Sequence, residues 1–141
     1  MVIKTLISRL EQSAAKTVYD THLADHVKPE YPYLLVWEIA PTSAETRPAL
    51  SGPAREHKTL IGVMAVGLST ESVRGLATQA KRLIIGWEPG ASDGIFWEEP
   101  EHKPAYGRAI TRDKDTPLLD GNPVLWGSDF YEFTGQNQGE T

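Results

Sequence analysis

Residues 57–86 constrain the fold most strongly, because an apolar strand pattern leads there directly into a helical pattern. Within residues 58–68 the apolar side chains alternate between two faces. One face holds Leu60, Met64, Val66 and Leu68, and the other holds Ile61, Val63 and Ala65. This period of two predicts a central β-strand that apolar neighbours can cover on both faces.

A helix is predicted immediately after this strand. Ser69 and Thr70 offer side-chain oxygens for its start, and Glu71 suits the positive end of the helix dipole. Gly86 is placed to end the helix in the left-handed conformation, with Pro89 beyond it. The apolar residues between these ends recur at the helical period, and they are Val73, Leu76, Ala77, Ala80, Leu83 and Ile84.

The remaining segments supply one more helix and several strands. Residues 2–15 form an amphipathic pattern that predicts a helix, and residues 32–39 alternate as a second strand. Shorter strand patterns follow the second helix, at residues 95–97, 106–111 and 124–133. This order predicts an α+β fold in which a mostly antiparallel sheet of about four strands carries two main helices.

The connection between the two long strands is unusually long. Residues 40–56 contain three prolines and almost no large apolar side chain. Connections of this length inside a compact domain are functional or mobile, so we expect an extended flexible loop, a long hairpin arm that stays loose in the isolated chain. We assign residues 1–134 to a single domain and expect residues 135–141 to form a disordered tail.

Composition narrows the possible partners. The chain of 141 residues carries a formal net charge of −5, which does not favour binding to nucleic acid phosphates or to an anionic membrane. It contains no cysteine, which excludes disulfides and thiolate metal sites and fits a reducing cytosol. No apolar window approaches the length of a transmembrane helix, and residues 1–10 lack the apolar core of a signal peptide. We therefore expect a soluble protein that is not exported.

Two polar groups have the residue types of a metal site but poor spacing. His22, Asp25 and His26 could face one way on a helix and hold zinc, yet the sequence marks no fourth ligand. Residues 113–121 contain three aspartates without the spacing or the final glutamate of a calcium loop. We interpret the first group as solvated loop residues and the second as a charged surface turn, and we expect no bound metal.

Catalytic motifs are equally sparse. Glu98, Glu99 and Glu101 beside His102 have the residue types of an acid–base group, but adjacent carboxylates usually form a solvated rim. The chain has no nucleophile elbow, cysteine nucleophile, phosphate loop or dinucleotide fingerprint. We therefore expect no enzymatic activity, no catalytic residue and no cofactor.

The aromatic residues can be interpreted in two ways. The four tryptophans, with five tyrosines, are numerous enough for a nucleic-acid stacking platform. In an acidic chain we favour the protein core and subunit contacts instead. The tryptophans are Trp37, Trp87, Trp97 and Trp126.

Several short motifs follow one another in a distinctive order. A first helix precedes residues 18–20 (VYD) and 31–36 (YPYLLV), and a long polar arm then leads to the central strand. The Ser-Thr-Glu helix start follows, and the chain closes with residues 106–108 (YGR) and 129–133 (DFYEF). Over nearly the whole chain, this order resembles that of the tail terminator (tail-completion) proteins of long-tailed bacteriophages.

The resemblance implies a structural subunit of the virion with no catalytic residues. Such subunits form a homohexameric ring on the end of the tail tube, stop its polymerisation and provide the surface that the head connector joins. The implied partners are the major tail tube protein and the head–tail connector protein. Genomic DNA would pass through the ring without specific binding, and no membrane is involved. The protein would be assembled in the host cytoplasm and located at the head–tail junction.

Two alternatives stay open. A head–tail connector or another neck protein would share this layout but bind a different partner. A small binding domain or an enzyme of unknown type would belong to another class.

The predicted arm supplies the candidates for a subunit interface. Arg47 and Arg55 have planar guanidinium groups that can bind a neighbouring subunit's carboxylates bidentately. Glu56 follows Arg55 directly and is the third candidate. An arm that reaches a neighbour gains contact area at the expense of ordering entropy.

Overall fold

Two helices and eight strands make up the described part of the computed structural model, which comprises residues 2–23, 28–39 and 56–137. The helices are α1 (Val2–Leu10) and α2 (Thr70–Ile84). The strands are β1 (Val18–Asp20), β2 (Tyr33–Ile39), β3 (Glu56–Gly67), β4 (Gly90–Ser92), β5 (Ile95–Trp97), β6 (Glu101–His102), β7 (Arg108–Arg112) and β8 (Leu125–Asn137). A short 3-10 helix at Pro104–Tyr106 precedes β7. The predicted α+β class is confirmed.

All eight strands belong to one mixed sheet, with the order β1-β2-β3-β8-β5-β4. β1 runs parallel to β2, whereas the other pairs of described strands are antiparallel. β8 is 13 residues long, and its outer edge pairs in turn with β7, β6 and β5. The predicted four-strand sheet is therefore wrong in detail. β1, β4 and β6 are only two or three residues long, too short to show a period in sequence.

The pairing of β3 with β8 is the longest in the sheet. It extends from Glu56 opposite Gln136 to Gly67 opposite Leu125. β2 pairs with the other edge of β3. Because successive side chains point to opposite faces, this register gathers one buried face beneath the helices. The buried apolar side chains on that face are Leu34, Val36, Ile61, Val63, Ala65, Tyr131 and Phe133.

Both helices contribute to the same core as this face of the sheet. The buried helix residues are Val2, Ile3, Leu6 and Leu10 of α1 and Val73, Leu76, Ala80 and Ile84 of α2. The predicted N-cap of α2 is confirmed, since Ser69 Oγ accepts a hydrogen bond from the Ser72 N–H at 3.0 Å. At the other end the C-cap residue is Ile85 in an extended conformation, and Gly86 follows it with the expected left-handed φ of 83°. None of the described helices is long and apolar enough to cross a membrane.

Several predicted boundaries need correction. α1 ends at Leu10 rather than near residue 15, and the Ala14 N–H donates to Gln79 Oε1 at 2.7 Å. β8 extends to Asn137, so the first residues of the predicted tail are paired with β5. Glu56 begins β3 and does not belong to the arm. The rest of the predicted arm, residues 40–55, and residues 138–141 of the tail lie outside the described residues.

Replacement by alanine should change stability in opposite directions at two glycines, Gly75 inside α2 and Gly86 just after it. Gly75 is exposed inside α2, and a Cβ there would meet no atom within 4 Å. Gly75→Ala should therefore raise the free energy of unfolding by about 0.5–1 kcal/mol. Gly86 has a left-handed φ of 83°, so Gly86→Ala should lower that free energy by about 1–2 kcal/mol. Urea unfolding measures both changes, and a shift of the same sign in the two variants would contradict this account.

Candidate interaction surface

The face of the sheet opposite the helices is apolar and only half covered in the described residues. The register of β2, β3 and β8 arranges four rows of side chains on it. The rows are Tyr33 with Val66 and Trp126, Leu35 with Met64 and Ser128, Trp37 with Gly62 and Phe130, and Ile39 with Leu60 and Glu132. We call this surface the aromatic face. Leu60 and Met64 are only half-buried there, whereas Ile61 and Val63 on the helix side are buried.

A groove of about 410 Å³ lies on the aromatic face. Its lining residues are Trp37, Ile39, Leu60, Met64, Tyr106, Arg108, Trp126, Ser128 and Phe130. Phe130 is at the centre of an aromatic cluster, with the ring centroid of Trp37 at 5.5 Å and that of Tyr106 at 6.4 Å, both edge to face. Arg108 is the charged residue in this lining. Tryptophan, tyrosine, methionine and arginine are the residues that protein–protein interfaces favour.

Two glycines allow the close approaches that build this groove. Gly62 lies beneath the indole of Trp37, and a Cβ there would overlap the ring, with Cη2 at 2.8 Å. Gly107 passes so close to β8 that a Cβ would be 2.7 Å from the Ser128 carbonyl oxygen. This crossing places Tyr106 above the aromatic face, where its side chain is 60% exposed. The groove therefore depends on backbone contacts that only glycine permits.

A tyrosine cluster continues the aromatic face at the start of β2. The Tyr33 ring has its centroid 5.4 Å from that of Tyr19 and 5.5 Å from that of Tyr31. Burial, together with the nearby Tyr31, Asp113 and Tyr19, raises the pKa of Tyr33 to about 12. The neutral phenol is thus strongly favoured at this end of the face.

A separate polar cluster joins β6 to β8. His102 Nε2 lies 3.1 Å from Asp129 Oδ1, and the His102 ring stacks at 5.1 Å on Tyr131. The Tyr131 hydroxyl is buried without a hydrogen-bond partner among the described residues. Burial, with the Asp129 carboxylate adding to it, raises the pKa of Tyr131 well above its usual range. We interpret this cluster as a structural link between the two strands.

The glutamates considered for acid–base chemistry are not gathered around His102. Glu98 and Glu99 are exposed, and Glu99 Oε1 accepts a hydrogen bond from the Gly86 N–H at 3.0 Å. Glu101 Oε1 lies 3.3 Å from Lys103 Nζ. His102 contacts Asp129 instead, a residue that sequence reasoning did not single out. Pairing of β6 with β8 brings them together, and β6 is too short to recognise from sequence.

The two polar groups weighed as metal sites are placed only in part by the described chain. No cluster of three or more histidine, aspartate or glutamate side chains suited to a metal occurs there. His22 is exposed, while Asp25 and His26 lie outside the described residues. Asp113 is engaged in its own turn, where its carboxylate accepts from the Asp115 N–H and the Thr116 hydroxyl. Asp120 and Gly121 both have positive φ and form the tight turn between Leu119 and Asn122.

The structure divides the tryptophans between three environments. Trp97 lies in the core, and Trp87 is half-buried beneath the Arg9 guanidinium, 5.5 Å from the ring centroid. Trp37 and Trp126 line the groove of the aromatic face. The alternation of aromatic and aliphatic residues along β2 was the sequence signal for this face. Only the register of β3 with β2 on one side and β8 on the other shows that Trp37 and Trp126 share it.

The described residues place one of the three interface candidates from sequence, Glu56. Arg47 and Arg55 are outside the described residues. Glu56 is exposed at the start of β3, and its Oε1 atom lies 3.8 Å from Lys58 Nζ. An exposed pair at this distance contributes little to stability and leaves Glu56 accessible.

Comparison with protein-family models and with curated protein sequences finds no match for this chain.

Substitution of Gly62 should reveal how tightly Trp37 is held. Gly62→Ala inserts a methyl group where the indole lies, so the free energy of unfolding should fall by about 1–3 kcal/mol. In a Trp37→Ala background the same substitution should cost much less, because the overlapping ring is gone. Urea unfolding of the four proteins completes this double-mutant cycle. An equal cost in both backgrounds would show that the ring is not the obstacle.

The buried phenol of Tyr33 should make stability fall at alkaline pH. An unperturbed tyrosine ionises near pH 10, so the unfolded chain loses this proton before the folded chain, whose Tyr33 pKa is about 12. The stabilising contribution of the Tyr33 phenol is therefore fully present below pH 10 and is lost as the pH rises through about 12. Tyr33→Phe should show a smaller loss of stability over this interval by denaturant unfolding, whereas the control Tyr106→Phe should follow the wild type. An unchanged loss in Tyr33→Phe would contradict this assignment.

Proposed function

We propose that this chain is a structural subunit of a bacteriophage tail, a tail terminator that forms a hexameric ring on the tail tube. In this role it ends tube polymerisation and presents the surface that joins the head. The open aromatic face carries the proposal, because a subunit of a permanent assembly covers such a surface with a protein partner. The order of the elements in the described residues is also compatible with the family layout.

The lining of the groove favours a protein partner over a small molecule. Pockets for small molecules combine an apolar wall with several convergent polar groups that fix the ligand's orientation. The lining of this groove contains two polar side chains, Arg108 and Ser128, beside seven apolar or aromatic ones. Its character matches the centre of a protein–protein interface.

Charge also disfavours a nucleic acid on this surface. Phosphate binding needs a concentration of lysine and arginine, and the chain has a net charge of −5. Among the described residues, Arg108 is the one arginine that lines the groove. Stacking of bases on Trp37 and Trp126 would therefore lack the electrostatic attraction on which such binding depends.

The aromatic face is suited to tight contact because its rings are already held in place. Trp37 is held between Gly62 and Phe130, and Phe130 also contacts Tyr106. Ordered aromatic side chains lose little conformational entropy when a partner covers them. We assign this face to the terminal ring of the tail tube protein.

An assay of tube length tests this assignment. The tail tube protein encoded in the same phage genome is allowed to polymerise with increasing amounts of this chain, and tubes are measured by electron microscopy. We expect shorter tubes with a ring at the end. Tyr106→Ala should weaken tube binding by roughly 30-fold, the loss typical of an interface hot spot, because its exposed side chain contributes contact area but little stability.

Leu118→Ala is the matched control, since Leu118 is 51% exposed and does not line the groove. It should bind the tube like the wild type. Unrestricted tube growth in the presence of excess wild-type chain would reject the terminator role. Binding to the head–tail connector protein or another neck protein alone, in the same assay, would favour the neck-protein alternative.

A further inference from the structure

A second groove, of about 440 Å³, lies along the exposed side of α2. Its lining residues are Glu71, Arg74, Gly75, Thr78, Gln79 and Arg82. Gly75 opens it, because the middle of the helix lacks a side chain there. A glycine at an exposed helix position costs about 1 kcal/mol relative to alanine. Nothing in the described part of the subunit accounts for that cost, since a Cβ at Gly75 would meet no atom within 4 Å.

Two arginines flank this opening and lack acidic partners within the described residues. Arg74 and Arg82 are both exposed, and neither takes part in an ion pair there. They are eight residues apart on one helix, which corresponds to about 12 Å along its axis. Lys81 adds a third exposed cation beside them. The exposed side of α2 thus carries three cations against one carboxylate, Glu71, in a chain whose net charge is −5.

The complementary charge occurs in the segment after α2. Residues 88–101 contain five acidic side chains and no basic one. At the link from β5 to β6, Glu98 and Glu101, the first residue of β6, are exposed on either side of the buried Pro100. Three residues of extended chain span about 10 Å, close to the separation of the two arginines. Glu98 forms no ion pair in the described chain, and Glu101 contacts Lys103 with 71% of its side chain exposed.

We propose that the acidic segment 98–101 of one copy binds in the α2 groove of the next copy. The charge, the spacing of the charged groups and the gap at Gly75 all fit this occupant, which the chain itself supplies. Because the segment and the groove are two different surface patches of the subunit, the contact is heterologous and can close a ring. The inference rests on the proposed function in one respect, the expectation that copies associate in a ring.

Complementary charge reversal tests the contact. One variant carries Arg74→Glu and Arg82→Glu, and the other carries Glu98→Arg and Glu101→Arg. Glu99 is left unchanged because it caps the Gly86 N–H. Each variant alone should self-associate roughly tenfold or more weakly than the wild type at low salt, measured by sedimentation velocity. An equimolar mixture should associate again, because each copy then meets a neighbour of opposite charge.

A charge-matched control and a neutral variant distinguish the role of the groove in association from a general effect of net charge. Lys16→Glu with Lys114→Glu, at two exposed positions, makes the same change in net charge as the arginine variant and should leave association unchanged. Gly75→Met fills the groove without any change in charge, so it should weaken association while making α2 more stable. Circular dichroism melting of every variant confirms that the monomer is folded.

Failure of the mixed variants to associate would overturn the inference, as would normal association of either variant alone. These outcomes are distinct from failure of the proposed function. Association that depends on the groove, together with unrestricted tube growth, would leave the contact intact and reject the terminator role. Tube capping by both charge-reversed variants would support the role and reject this contact.

Discussion

The antiparallel pairing of β3 with β8 is the interaction on which the rest of the structure depends. Its register, with Ile61 opposite Tyr131 and Gly62 opposite Phe130, decides which residues lie beneath the helices and which form the aromatic face. A slip by one residue would exchange the two sets, because side chains alternate with a period of two. The core and the open face are therefore two results of a single pairing.

Three glycines affect the shape of these surfaces, each at a position where a side chain would occupy space. Gly62 makes room for the Trp37 indole, and Gly107 lets the chain cross close to Ser128. Both have a physical reason within the subunit. Gly75 has none in the described residues, and it borders the groove that we assign to a neighbouring copy. Under these proposals the apolar face supplies affinity for the tube, whereas the charged groove orients successive copies.

The elements predicted most accurately are those whose signals are local and long enough to repeat. β2, β3 and α2 are close to their predicted bounds, Ser69 is the N-cap of α2 as expected, and Gly86 after the helix has the expected left-handed φ. β1, β4 and β6 were missed because two or three residues carry no period, and they form only where β2, β5 or β8 offers an edge. β5 is equally short but was predicted from its apolar run at residues 95–97. α1 was predicted too long because Ala14 continues the apolar stripe, whereas its N–H is bound by Gln79, 65 residues away.

The sequence by itself determined the apolar sides of β3 and α2, the N-cap of α2 and the acidic balance of the chain. These properties depend on residues close together in the chain or, for the net charge, on a count of charged residues. Only the tertiary structure decided that the helices cover one face of the sheet, that Trp37 and Trp126 share the other, and that His102 meets Asp129. Those relations join residues far apart in the chain. They depend on strand register and on close backbone approaches, which no local pattern encodes.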